Sequence, residues 1–466
     1  MQTAECLRAM FEDKNASLNS ISRLSGINKG TLSRIVYGKQ DVKFDELMKI
    51  SSALGLLYGQ QKLLFDTYFN EMYGKKDMDA VHFVLEEIPT AFDPPDVDVP
   101  DRGYTSYPEN GFLPDMKSVY EAIFTVTDIE SGKIYTDFPF ENKTLDEFFF
   151  RKAKKEGIEL FHFIKNIHKD GEKQNLHSLI RALRYMNIGQ FPYATDEWQF
   201  DDDMNILPYF CATQKGAVLF NGEFGFITVN GDSAADIIKK AERMLSRAEC
   251  LGKKPADIMD IKNFAVGLKL EGGVIDICKY PPCLAKYVTR EMMDSAAKDV
   301  PNKDSLIDIC CVHYGAAAEN DNIVGFLTLP GLEDFAATGN FYGIPPEFVN
   351  GFPREVRIEI LNAIKKDFAA GKLYLLSRSD AIPDGLAIEV DSEKVRVYGT
   401  DTSVPQFCIG SAFFFELADP FCVKLMRIAK EILISCGGVY GTAAAARVAD
   451  NCIALAANDM RQAFID

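Results

Sequence analysis

Between Arg23 and Lys43 stand five basic side chains, Arg23, Lys29, Arg34, Lys39 and Lys43, against one acid, Asp41. Lysine and arginine clustered in this way neutralise phosphate. Lys29 and Arg34 are long enough either to grip phosphate or to read purine edges. Asn28 and Ser33 beside them can hydrogen-bond base edges, and Gly30 lets a backbone come close. The chemistry these residue types offer is recognition of double-stranded DNA.

Elsewhere the reactive residue types do not assemble by spacing. The histidines, His82, His162, His168, His177 and His313, include no His-Glu-x-x-His pair. His162 and His168, six apart on a predicted helix, read as solvated. Cys278 and Cys283 come closest to a metal spacing, but no second pair completes four ligands, so no metal is expected. Asp201, Asp202 and Asp203 lack the spaced oxygens and glycine of a calcium loop and read as a solvated turn. The run Cys436–Thr442 has backbone amides to offer an anion, yet it follows a helix rather than a strand and reads as a glycine joint between two helices. Tyr280-Pro281-Pro282-Cys283 and Tyr342-Gly343-Ile344-Pro345-Pro346 either line a ligand pocket or form rigid loops over a core. No nucleophile, base and orienting group come together, so the expectation is a protein that is not an enzyme and carries no cofactor.

The elements that must hold the basic cluster are short helices. Ser17 is a plausible N-cap, Ile21 and Leu24 share one face of the helix that follows, and Gly26 stops it. Asn28 can cap a second helix in which Leu32 and Ile35 repeat an apolar face while Lys29, Gly30, Ser33 and Arg34 point away; Gly38 closes it. After a polar loop, Phe44, Leu47, Met48, Ile50, Leu54 and Leu56 mark a core-covering helix, and Leu57 to Tyr73 a further one. Two helices across a glycine turn, the second polar on one side, suit insertion into a major groove.

The stretch ISRLSGINKGTLSRIVYGKQDVKFDELMKISSALGL resembles the Cro/repressor-like (XRE) helix-turn-helix family. The marks are Ser22 as the small residue, Gly26 at the turn, Thr31, Leu32, Ser33 and Arg34 in the recognition helix, Gly38-Lys39 after it, and the closing Leu47 to Leu54 helix. The resemblance implies that Asn28, Lys29, Gly30, Ser33 and Arg34 face bases, while Ser17, Tyr37, Lys39 and Lys43 serve the phosphate backbone. Leu18 stands where the family usually has a helix-opening Gln, which puts one usual phosphate contact in doubt, and Val36 stands where it often has Glu.

The rest of the chain has the opposite charge. Residues 1–60 balance at +2, so the other residues carry −19 of the net −17, and any DNA contact belongs at the N-terminus. With 466 residues, 47% of them hydrophobic, the chain is too long for one core, and several domains are expected. The start has early acids and no long apolar core, so no secretory signal is expected. The run Phe407 to Val423 is broken by Glu416 and Asp419, so no membrane span is expected either, and the reading is cytoplasmic. The 11 cysteines are an odd number, and Cys211, Cys310, Cys311 and Cys408 sit in apolar runs as reduced thiols.

The fold class expected is multidomain, with an all-α helix-turn-helix domain (1–75), a connecting segment (76–115), and an α+β effector region in two halves (116–300 and 301–466). In the first half, 145–167 and 175–186 read as helices and 209–213, 217–220 and 224–229 as strands, with Asn221-Gly222 as hairpin turn and Asp232 or Ser233 capping a helix through Leu245. A comparable order recurs later, with a helix at 354–370, strands at 373–376, 386–390 and 395–398, and a helix through Leu425 and Ile432. A duplication is one explanation. The Ala-rich stretch 442–464 reads as a dimer interface or a core helix. The functional expectation is a sequence-specific transcriptional regulator that binds DNA as a homodimer and senses a small-molecule or peptide effector; the alternative is an enzyme or defence-system component carrying a DNA-targeting domain.

Overall fold

The computed structural model of the chain describes residues 2–92, 116–138, 142–165, 173–195, 207–221, 225–256, 274–278, 284–299, 323–341, 349–378, 385–400, 412–435 and 437–458, with a few isolated residues between 260 and 383. Five helices come first: α1 (Thr3–Asp13), α2 (Leu18–Ser25), α3 (Lys29–Val36), α4 (Phe44–Leu54) and α5 (Tyr58–Glu87). A first mixed unit follows: α6 (Met116–Val126), β1 (Gly132–Asp137), α7 (Lys143–Ala153), β2 (Ile158–Lys165), α8 (Lys173–Asn187), β3 (Tyr193–Thr195), β4 (Tyr209–Thr213), β5 (Gly216–Phe220), β6 (Phe226–Val229) and α9 (Gly231–Leu245). After β7 (Glu249–Cys250) and β8 (Gly252–Lys253) comes the second unit: β9 (Val274–Cys278), α10 (Arg290–Ala296), β10 (Ile323–Leu327), α11 (Leu329–Thr338), α12 (Arg354–Ala370), β11 (Leu373–Leu375), β12 (Leu386–Val390), β13 (Val395–Thr400), β14 (Ala412–Leu417), α13 (Pro420–Ser435) and α14 (Thr442–Ala457). The chain is thus an all-α head on a larger α+β body.

The two units repeat one topology. The first sheet runs β3-β2-β1-β4-β5-β6 and the second β11-β10-β9-β12-β13-β14. In each, the first three strands are parallel, and the last three form an antiparallel meander beside the first strand. The helix after the meander, α9 or α13, packs on the same pair of strands in both units. β7 and β8 are separated only by Leu251 and pair with β3 of one sheet and β14 of the other, so the chain steps directly from edge to edge.

Alternation along the strands covers both faces of each sheet. Ile134 and Cys211 join the core under α6 and α7, whereas Tyr135, Phe210 and Ala212 join the one under α9. In the second sheet Leu327, Leu373 and Leu375 pack with α10, α11, α12 and α14, while Phe326, Ile388, Val397 and Phe415 face α5, α8 and α13. In α14, Ala445, Ala449, Cys452 and Ala456 are buried against that first group, which makes it a core helix.

Several expectations need correction. The segment 145–167 is not one helix. It is α7, a turn at 154–157, and β2, whose Leu160, Phe163 and Ile164 are buried because the strand lies between β1 and β3. His162 is consequently a buried strand residue rather than a solvated helix one, with its ring stacked on Phe138 at 4.6 Å; His168 lies outside the described residues. Leu24 does not share the core with Ile21: it is 64% exposed, because the eight-residue α2 buries a narrow stripe only. The cap of α9 also falls earlier than expected, with Asn230 in the N-cap position. The prolines at 281–282 and 345–346, Asp201–Asp203, Cys283 and Gly222 lie outside the described residues.

Helix α5 is two limbs. At Gly74 the backbone takes φ 81° and ψ 160°, a conformation that only glycine adopts without strain. A straight helix of this length would span about 45 Å. Yet Tyr58 at its start and Val84 near its end line one cavity, so the limbs fold back on each other. The expected end at Tyr73 coincides with this break, and residues 76–87, expected in the connecting segment, form the second limb.

Candidate nucleic-acid interface

The head is built around α3. Ser17 caps α2 by accepting the Ser20 amide at 3.1 Å, and Asn28 caps α3 by accepting the Gly30 amide at 2.8 Å. Between the helices Gly26 turns left-handed at φ 72°, and its amide closes on the Ser22 carbonyl. The Ser22 hydroxyl donates to the Ile27 carbonyl at 2.6 Å, which explains a small residue at that place: its side chain stitches the turn from within. At the far end of α3, the Gly38 amide meets the Ile35 carbonyl and the Lys39 amide the Arg34 carbonyl. Both ends of the helix are fixed by local hydrogen bonds.

Burial divides α3 cleanly. Leu32, Ile35 and Val36 are buried against α1, α2 and α4, while Asn28, Lys29, Gly30 and Arg34 are exposed and Ser33 is half-buried. Among the residues expected on the phosphate backbone, Ser17, Lys39 and Lys43 are exposed and Tyr37 is 57% exposed, a large aromatic surface to leave in water. Val36, where the resembled family often has Glu, is buried, and its carbonyl accepts from Arg8 of α1 at 3.4 Å, so an apolar side chain suits the site. Leu18 is half-buried against the same core.

The structure adds residues that spacing did not single out for the site. Arg34 donates from Nε to Gln40 at 3.0 Å and from Nη2 to Thr31 at 3.2 Å, so its guanidinium is held over the exposed side of α3 before any ligand arrives. Gln40 lies beyond the end of the helix, and only the left-handed turn at Gly38 brings it back. Gly30 acquires a local reason: a Cβ there would stand 3.2 Å from the Asn28 side-chain oxygen that caps the helix. Helix α1, which sequence periodicity did not reveal, braces the rear of α3 and packs on α5, where Glu71 accepts the Thr3 amide at 2.7 Å.

The head is joined to the body through buried contacts. Phe44 of α4 packs against Phe65 and Phe69 of α5 at 5.9 and 6.0 Å, and one continuous core runs from Cys6 in α1 to Ile432 in α13. The Tyr73 hydroxyl donates to Glu431 at 3.1 Å, and Lys424 pairs with Asp77. Burial pushes the Glu431 carboxyl above its usual range, and burial together with Glu431 pushes the Tyr73 hydroxyl up as well.

Capped helices across a glycine turn, with the second helix polar and basic on its open side, define a helix-turn-helix head. Residues 6–59 match the family model of the Cro/C1-type HTH DNA-binding domain, so the chain carries such a domain at its N-terminus. No curated protein matches the chain. Among the described residues no helix is long and apolar enough to cross a membrane, and no cluster of His, Cys, Asp and Glu is placed to hold a metal ion.

Proposed function

We propose that the chain is a one-component transcriptional regulator: the head reads an operator, and the body senses an effector without catalysing a reaction. The observation that carries this is the exposed face of α3, where Asn28, Lys29 and Arg34 stand in solvent above a buried Leu32, Ile35 and Val36. In this reading Asn28, Lys29, Gly30, Ser33 and Arg34 meet base edges in the major groove, and Ser17, Tyr37, Lys39 and Lys43 fasten the head to phosphates. The body, which carries the negative charge, is repelled from DNA and leaves the head to make the contact.

One recognition helix offers few base contacts, so two copies of the chain bind half-sites about 34 Å apart as a homodimer. The test is recovery of bound fragments across the genome, followed by titration of the recovered site at fixed salt. Lys29→Ala and Arg34→Ala are each expected to weaken binding by about 1 to 3 kcal/mol. Unchanged affinity in both variants, or the absence of salt-dependent binding by the unaltered chain, overturns the reading.

A further inference from the structure

Where the head meets the body there is a cavity of about 270 Å³. Tyr58, Ser377, Arg378 and Gly437 of its lining are exposed, so it is a cleft that opens to solvent on that side, and about 150 Å³ is already enough to take a benzene ring. Val84, Ile388, Met426 and Ala429 form its apolar wall, and it abuts a second void of about 60 Å³ that shares Val84, Ile388 and Met426 and is lined by apolar side chains throughout. The polar part of the wall is Ser377 and Arg378 with the backbone of Gly437 and Gly438. The Ser377 hydroxyl is spent on the Gly437 carbonyl at 2.8 Å, which leaves the cation of Arg378 as the charged feature of the lining.

We infer that this cavity is the effector site, and that its ligand is a small amphipathic acid: an apolar body of roughly a dozen non-hydrogen atoms bearing one carboxylate. An apolar body seated there gains dispersion contacts with that wall. A guanidinium keeps five donors in a fixed fork, so it can serve a carboxylate alongside a protein partner.

The position of the cavity gives binding a route to the DNA. Tyr58 belongs to the first limb of α5 and Val84 to the second, and both line the cavity together with α13. The first limb carries Phe65 and Phe69, which pack on Phe44 of the head. A ligand wedged between α5 and α13 therefore bears on the element that seats the DNA-reading unit, and it changes operator affinity by whatever difference it feels between the two seatings.

This inference rests on the regulator reading, and the experiment separates the two. Full-length protein is titrated calorimetrically with 2-naphthoate and with its neutral counterpart 2-naphthalenemethanol. One saturable site per chain is expected for naphthoate. Ala429→Phe and Leu433→Trp fill the cavity from α13 and should each lower that affinity at least about tenfold, thermal melting confirming the fold of whichever variant is used. Arg378→Gln should weaken naphthoate while leaving the alcohol unchanged. Absence of a saturable site, or unchanged binding in a folded cavity-filled variant, overturns the site; equal loss of acid and alcohol in Arg378→Gln overturns the carboxylate. Operator titrations with and without naphthoate test the coupling: binding of the acid with no shift in operator affinity overturns it. Loss of the site alongside intact operator binding would leave the regulator reading standing alone.

Discussion

Arg34 reaches solvent already braced, and this separates two roles that a simple count of basic residues merges. In the proposed reading its charge serves the DNA contact, whereas Thr31 and Gln40 hold the fork in place. Gln40→Ala keeps the charge and loses the brace, so it should weaken operator binding by about 0.5 to 1 kcal/mol with the salt dependence unchanged. Arg34→Ala should both weaken binding and reduce the slope against log salt by about 1. The measurement is affinity over a range of salt for both variants, and an equal change of slope would place Gln40 on the phosphate itself. A second residue makes a prediction about acid. Burial holds the His162 imidazole down at about 3, against the partial support of a hydrogen bond to the Phe138 backbone. A histidine with a depressed pKa contributes stability that is complete above its unfolded value of about 6.5 and is lost as pH falls towards the folded one. His162→Phe keeps a ring against Phe138 but leaves that carbonyl unanswered, so it should be less stable than the parent at pH 7. The gap should close or reverse by pH 4, read as melting temperature against pH; a constant gap would show that His162 is not the titrating group.

Among the elements, α5 is decided by one residue. Gly74 at φ 81° and ψ 160° folds the two limbs back, and an alanine there favours a straight helix instead. Gly74→Ala should cost about 1 to 3 kcal/mol and speed hydrogen exchange in α5 and α13 together; unaltered stability would show that the bend is imposed by packing alone. The same helix shows what the sequence made legible. Its first limb, the caps at Ser17 and Asn28, and the turn at Gly26 are local signals and could be read directly, as could the meander strands β4, β5, β12 and β13. The parallel strands β1, β2, β9 and β10 were not read, because their partners lie a helix away and no short-range turn announces them. β2 was mistaken for helix because its apolar face is set by burial between neighbours and not by simple alternation. The place of Gln40 and the cavity at Ala429 arise only when separate segments meet, so the exposed face of α3 could be read from sequence but the cavity could not.

At the scale of the molecule, head and body share a core, and this has a thermodynamic consequence. Phe69 is fully buried at the centre of an aromatic group made with Phe44, Phe65, Tyr68 and Tyr73, and the hydrophobic cluster it belongs to continues into the second sheet and α13. A domain tethered by a flexible linker unfolds by itself, whereas one whose core runs into its neighbour draws the neighbour with it. Removing the ring in Phe69→Ala should cost about 3 to 5 kcal/mol, since the helices around it can collapse only in part. The loss should spread. Hydrogen exchange followed by mass spectrometry is expected to accelerate in α2, α3 and α4 and equally in α13 and the meander of the second sheet. The meander of the first sheet packs about α9 through a separate core, so its protection should hardly change, whereas Ile164 of β2 and the buried face of α8 belong to the shared cluster and should follow it. Acceleration confined to α1–α5 would mean that the head opens independently. In that case a ligand at the joint could not be felt at α3, because coupling between the two sites requires that the elements between them move as one.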